Sequence, residues 1–269
     1  MPRKKKEVAP EYHVTVRLTT KCDCKCAHCC FECGPNRSDI MPVEVVKQIK
    51  GCFSGHVTWL NVMGGELTLL PDYPDLLNEL TFAPMRIVTN GTWVNKEEEK
   101  KRFLSTIREL SQGDHHVLVS ISRDKLHPKG VGEKAYEWLK SKKTSKDFWF
   151  TSATQDLKEE ERAIAPVGRA HFNLLGDGFF RMFGARCRCN ENEKSMAVLE
   201  DGSVTYCQFG AWPMGHLTDG FNELRKVHKR MDKIFIPSCN SCWQSWELSG
   251  RQRWSKEKET HDTKVGNDE

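Results

Sequence analysis

Leu18-Thr-Thr-Lys-Cys-Asp-Cys-Lys-Cys-Ala-His-Cys29 is the stretch on which the reading of this chain turns. Cys22, Cys26 and Cys29 stand in it as C-x3-C-x2-C, directly after Tyr12-His-Val-Thr-Val-Arg-Leu-Thr19, whose alternation of apolar and polar residues predicts a β-strand. Thiolates are soft ligands suited to iron–sulfur clusters or zinc, and a short loop lets them converge on one side of a metal centre. Three thiolates on a four-iron cluster leave one iron open to bind a reactant. Zinc is the alternative, since C-x2-C pairs are common in zinc modules.

A second strand-like run, His56–Val62, ends in Val62-Met-Gly-Gly-Glu66. Gly64 and Gly65 permit positive φ and a close approach to the backbone, and Glu66 can pair with an ammonium group. From there strand and helix signals alternate. Helices are predicted over 42–53, 72–80, 96–110, 133–143 and 157–164, with strands at 85–89, 117–122 and 147–151. Repeated βα units of this length imply a parallel sheet with helical crossovers, and in such sheets the chemistry sits at the carboxyl ends of the strands. The cysteine loop, Gly64-Gly65-Glu66 and Thr89-Asn90-Gly91 all fall there. In the fourth strand Val117, Val119 and Ile121 share one face, while Ser120, Ser122 and Asp124 share the other, as expected of a lumen that holds a polar ligand.

The cysteine triad followed by Gly-Gly-Glu resembles the radical S-adenosylmethionine (radical SAM) superfamily. The resemblance implies an α/β fold, a partial (β/α)6 TIM-like barrel. It also implies a [4Fe-4S] cluster on Cys22, Cys26 and Cys29 with an open iron that binds S-adenosyl-L-methionine. Reductive cleavage would give a 5′-deoxyadenosyl radical that abstracts hydrogen from substrate, driven by a flavodoxin- or ferredoxin-type reductant. By the same resemblance, His28 stands where the family has an aromatic residue beside the cofactor, and Gly64, Gly65, Glu66, Asn90 and Ser122 contact it. Asn90 and Ser122 as turn-capping groups are the plain alternative. Arg169 can bind a carboxylate of cofactor or substrate, or else form a surface or interdomain ion pair. Asp124 and His127 face the substrate or form a solvated turn before Pro128.

The later part of the chain has its own cysteine pattern. Asp201-Gly202 marks the turn of a hairpin running from Ala197 to Cys207, and Cys239-Asn-Ser-Cys242 follows. A cysteine, then G-x4-C around a hairpin, then C-x2-C resembles the twitch domain, a shortened relative of the SPASM domain. That implies a second, auxiliary [4Fe-4S] cluster on Cys207, Cys239 and Cys242, with Cys187 or Cys189 as first ligand, Cys187 being preferred. Four thiolates also suit structural zinc. Cys24, Cys30 and Cys33 interleave with or follow the triad without an assigned role, and Cys52 reads as a packed core thiol. The expected organisation is a basic flexible arm over 1–11, the barrel over 12–180, the twitch-like β-hairpin/helix domain over 181–249 and a charged tail over 250–269.

With 269 residues the chain is long enough to bury a core. It carries no eighteen-residue apolar run and no apolar stretch after its basic start, so neither a membrane span nor a secretory signal is expected. Twelve cysteines without an export signal point to metal ligation in the cytoplasm, the host's if the protein is viral. Net charge is only +4, part of it from Arg3, Lys4, Lys5 and Lys6, which either touch phosphates or form a solvated tail. A first strand near residue 12 leaves no room for an amino-terminal peptide-recognition domain. That point, the basic arm and the late Trp243, Trp246 and Trp254 lean the expected substrate towards a nucleoside or nucleic-acid base, such as a hypermodified viral thymidine. A peptide maturase or epimerase is the alternative, and a non-enzymatic zinc protein that binds nucleic acid is the rival from another class.

Overall fold

The computed structural model describes residues 11–26, 29, 31–112, 115–123, 127–143, 148–153, 194–206 and 213–235. The expected helix over 157–164 lies outside them. Within the described residues an eight-stranded sheet runs in the order β5-β4-β3-β2-β1-β6-β7-β8. Its strands are β1 (Tyr12–Arg17), β2 (Val57–Met63), β3 (Met85–Thr89), β4 (Val117–Ser122), β5 (Trp149–Ala153), β6 (Lys194–Val198), β7 (Ser203–Thr205) and β8 (Pro213–His216). Strands β1 to β6 are mutually parallel where they pair, whereas β6, β7 and β8 are antiparallel. The sheet is open, as a partial barrel requires.

Four crossover helices follow the first four strands: α1 (Val43–Phe53), α2 (Tyr73–Glu79), α3 (Glu97–Leu110) and α4 (Val131–Lys142). Each places one apolar stripe on the sheet. In α1 the buried residues are Val46, Ile49 and Phe53, and in α3 they include Phe103, Ile107 and Leu110, spacings that line one helix face. Glu97, Glu98 and Glu99 in the first turn of α3 and Arg108 in its last turn complement the helix dipole. These stripes meet Val14, Val16, Leu60, Val62, Met85, Ile87, Val117, Val119 and Ile121 in one core. Since side chains alternate along a strand, the intervening residues, among them Thr15, Arg17, Asn61, Arg86 and Ser120, occupy the opposite face.

The hairpin turns at Asp201-Gly202 as expected: Gly202 has φ +85° and the Ser203 N–H donates to Asp201 Oδ1 at 2.9 Å. Its first strand, β6, pairs in parallel with β1, so the hairpin continues the main sheet. Arg17 on β1 and Glu200 beside the hairpin turn close a bidentate ion pair at 2.6 and 2.7 Å, with both side chains about nine-tenths buried. A last helix, α5 (Phe221–Phe235), packs Phe221 against Tyr12 and Phe53. No helix among the described residues is long and apolar enough to cross a membrane.

Candidate cluster and cofactor site

The cysteine loop leaves the carboxyl end of β1 and is tied back by the segment 34–41. The Cys22 N–H donates to the Gly34 carbonyl at 3.2 Å, the Gly34 N–H to Thr20 at 3.1 Å, and the Met41 N–H to Leu18 at 2.8 Å. Thr20 Oγ1 donates to the Asp39 carboxylate at 2.6 Å. Inside this closed loop Cys22, Cys24 and Cys33 are buried, and Cys26, Cys29 and Phe31 pack against them. All three residues of the C-x3-C-x2-C motif therefore belong to one thiol group. Cys24 and Cys33, which carry no assigned role in the motif, belong to it too.

Local hydrogen bonds orient the sulfurs. The Cys24 N–H donates to Cys22 Sγ at 3.4 Å and the Cys33 N–H to Cys29 Sγ at 3.3 Å. Hydrogen bonding with the Cys22 and Cys26 thiols, reinforced by burial, raises the Cys24 thiol above its ordinary pKa; hydrogen bonding with Cys29 does the same for Cys33. Ligand atoms of Cys22, Asp23 and Cys24 all lie within 4.8 Å of one another. Thiols packed together at the end of a parallel strand are soft donors, the kind an iron–sulfur cluster takes.

Gly64 and Gly65 seat this loop on β2. The Gly65 N–H donates to the Thr19 carbonyl at 2.7 Å and the Glu66 N–H to the Lys21 carbonyl at 2.9 Å. A Cβ at position 64 would stand 2.3 Å from the Thr19 oxygen, and one at 65 would stand 1.8 Å from the Lys21 oxygen. Both glycines are thus required by the approach of two main chains, whatever ligand also comes near.

The Glu66 carboxylate is fully buried. It accepts hydrogen bonds from Thr68 Oγ1 at 2.8 Å, Thr89 Oγ1 at 2.9 Å and the Asn90 N–H at 2.8 Å. Sequence reasoning assigned this carboxylate to an ammonium of the cofactor; in the structure its partners are the ends of β2 and β3. Burial raises its pKa above the ordinary carboxylate value, and the hydrogen bonds pull against that rise. The Asn90 side chain in turn reaches the cysteine loop, its Nδ2 donating to Asp23 Oδ1 at 2.9 Å and to Cys24 Sγ at 3.2 Å, while its Oδ1 accepts from Thr92. Asn90 is therefore against the thiol group. Thr68, in the turn that follows Glu66, was missed, and Thr89 had only its place at the end of β3 as a signal.

Ser122 is the last residue of β4, half-buried, on the same face as Ser120. His28, Cys30, Asp124, Arg169, Cys187, Cys189, Cys207, Cys239 and Cys242 lie outside the described residues. Cys52 is half-buried on α1 against the core, and burial pushes its thiol up to about 11.

The open parallel sheet, the thiol group at the end of β1 and the Gly-Gly-Glu segment seated beside it are the arrangement expected of the radical SAM class. No family model matches the chain. Among curated proteins it is similar to the antilisterial bacteriocin subtilosin biosynthesis protein AlbA of Bacillus subtilis, 29% identical over 118 residues, which are 43% of this chain and 25% of AlbA. It is also similar to the putative peptide biosynthesis protein YydG of the same organism, 23% identical over 121 residues, covering 42% of this chain and 36% of YydG. The chain thus spans well under half the length of these relatives. Among solved structures its fold is that of native anSMEcpe with bound AdoMet and Cp18Cys peptide, at TM-score 0.51 and 18% identity over 82% of each chain.

Proposed function

We propose that this chain is a radical SAM enzyme that modifies a peptide. The observation that carries the proposal is the packing of Cys22, Cys26 and Cys29 within one loop that is locked to Gly64-Gly65-Glu66 at the carboxyl end of the sheet. When bound there, a [4Fe-4S] cluster and S-adenosylmethionine supply a reducing electron and hydrogen-abstraction chemistry. The chain's own residues hold and orient them. Cys22, Cys26 and Cys29 act as ligands, and Asn90 holds the loop through Asp23 and Cys24. Glu66 and the two glycines fix the height of the loop above β2 and β3. Ser122 and Arg169 remain proposed cofactor contacts and His28 a proposed neighbour of the cofactor. An auxiliary cluster on Cys187 or Cys189 with Cys207, Cys239 and Cys242, and a flavodoxin- or ferredoxin-type reductant, complete the proposal.

The substrate reading moves from the nucleoside favoured by sequence to a peptide. What supports the move is that both curated relatives are named for peptide or bacteriocin biosynthesis. The test is release of 5′-deoxyadenosine from protein reconstituted anaerobically with iron, sulfide, S-adenosylmethionine and dithionite, run alone and then with peptide and nucleoside pools. Stimulation by peptides supports the reading. Stimulation by nucleosides alone returns the earlier one, and no release from protein with an intact cluster ends the radical reading.

A further inference from the structure

The face of the sheet turned away from α1 to α4 carries an unusual group. Arg86 sits in the middle of β3, between Met85 and Ile87 of the core, and so projects to the opposite face. In register beside it stand Asn61 on β2 and, one strand further, Thr15 on β1. On its other side Arg86 Nη2 donates to Ser120 Oγ at 2.8 Å, and Ser120 is in register with Thr151 on β5. Polar residues of β1 to β5 thus stand on this face below the site at the strands' carboxyl ends, with Leu118 and Trp149 in the register positions beside Arg86 on β4 and β5.

Arg86 has no carboxylate partner among the described residues, whereas Arg17, on the same face, is paired with Glu200. The Arg86 Nε is buried and makes no hydrogen bond. Desolvation alone pulls its pKa below the ordinary guanidinium value. A guanidinium remains charged at any ordinary pH, so a half-buried one whose Nε is shut off from water without an acceptor is costly unless an anion completes it. The planar fork of donors matches a carboxylate in two-point contact. Arg86 lies four residues before Asn90, which puts it roughly 13 Å along the strand from the residue that touches the thiol group. That is too deep to belong to the cysteine loop and suits a ligand that enters the lumen beneath it.

We propose that Arg86, backed by Asn61 and Ser120, is a carboxylate-binding subsite for the substrate. The peptide this chain acts on therefore places an Asp, Glu or C-terminal carboxylate in the lumen while a neighbouring residue meets the cofactor. The substrate class rests on the peptide reading above; the anion preference rests on Arg86.

The experiment compares four short-peptide pools in the reconstituted holoenzyme: acidic or neutral side chains, each with a free or an amidated carboxyl end. In wild-type protein the carboxylate-bearing pools are expected to stimulate 5′-deoxyadenosine release about tenfold more than the neutral amidated pool. Arg86→Gln should reduce that ratio to about one, and Arg86→Lys should restore part of it. Which carboxylate-bearing pool is preferred tells side chain from chain end. In parallel, thermal shifts with N-acetylglutamate methylamide and its glutamine counterpart read binding without turnover. Only the acidic probe should raise the melting temperature, and only when residue 86 is cationic. Equal stimulation by neutral pools, or an acidic preference that survives Arg86→Gln in protein of wild-type iron content, overturns the proposal. If wild-type protein releases nothing, the radical reading falls, and the thermal shifts still decide Arg86: a probe-independent result there overturns it.

Discussion

The main-chain N–H of Asn90 donates to the Glu66 carboxylate at 2.8 Å, joining the end of β3 to the end of β2 directly beneath the cysteine loop. Because the Asn90 side chain also holds Asp23 and Cys24, the carboxylate positions the loop at one remove.

Glu66→Gln puts an amide N–H among groups that are themselves donors, and leaves at least one of them without an acceptor. The expected cost is about 2 kcal/mol of stability, read as a lower denaturation midpoint, with iron content reduced in step. The pH dependence has a definite sign. Burial raises the folded-state pKa of Glu66 above its unfolded value. Its contribution is therefore complete below the unfolded pKa and is lost as pH rises through the folded one. The stability gap between wild type and Glu66→Gln should narrow as pH rises above the ordinary carboxylate range. A gap that widens instead would show that the hydrogen bonds outweigh burial.

Gly65→Ala places a methyl group 1.8 Å from the Lys21 carbonyl oxygen, a main-chain atom that moves only with the cysteine loop. Loss of about 3 kcal/mol or more and failure to retain iron are expected. Gly51→Ala is the internal comparison. It lies within α1 with nothing near its Cβ position, so it should stabilise the protein by about 0.5 kcal/mol or more.

Arg17 and Glu200 form a buried pair between β1 and the hairpin. Arg17→Met alone leaves a buried carboxylate and should cost about 3 kcal/mol. The double variant Arg17→Met with Glu200→Leu should recover most of that loss. Urea denaturation of the two variants measures the coupling, and equal stability for both would mean that the pair contributes only by packing.

The cysteines separate by chemistry. Cys26→Ala should lose the cluster's visible absorption and its iron, because a motif ligand is gone. Cys52→Ala should keep both. In the iron-free protein, iodoacetamide at about pH 8 should alkylate Cys52 roughly a hundredfold more slowly than a free thiol, since its pKa lies near 11 against an ordinary 9.0. Timed mass spectrometry of the peptide that carries Cys52 reads this directly.

The alternation of strands and helices was legible in the sequence because period-two and period-3.6 apolar patterns are local, and β3, β4 and α3 lie within a residue or so of where those patterns put them. The strand over 147–151 appears as Trp149–Ala153, a shift at a boundary that apolar pattern sets poorly. Helix α5 went unread, its short apolar stripe being diluted by charged residues. At the site, the triad and Gly64-Gly65-Glu66 were legible through spacing. The inclusion of Cys24 and Cys33 was not, since it depends on how the loop closes through Gly34 and Asp39.

The sequence alone determined the class of chemistry: which thiols stand within one short loop, that a strand precedes them, and that two glycines and a carboxylate end the next strand. Those are facts of neighbouring residues, and short-range sterics and ligand softness suffice to read them. Tertiary structure alone decided that Glu66 serves as a brace between strands, that β6 sits beside β1 and that Arg17 meets Glu200 across 183 residues. It alone decided that Arg86 stands on the sheet face away from the helices without a carboxylate among the described residues. Each of these depends on strand order and register, which are set by the packing of the whole sheet and not by any local run of residues.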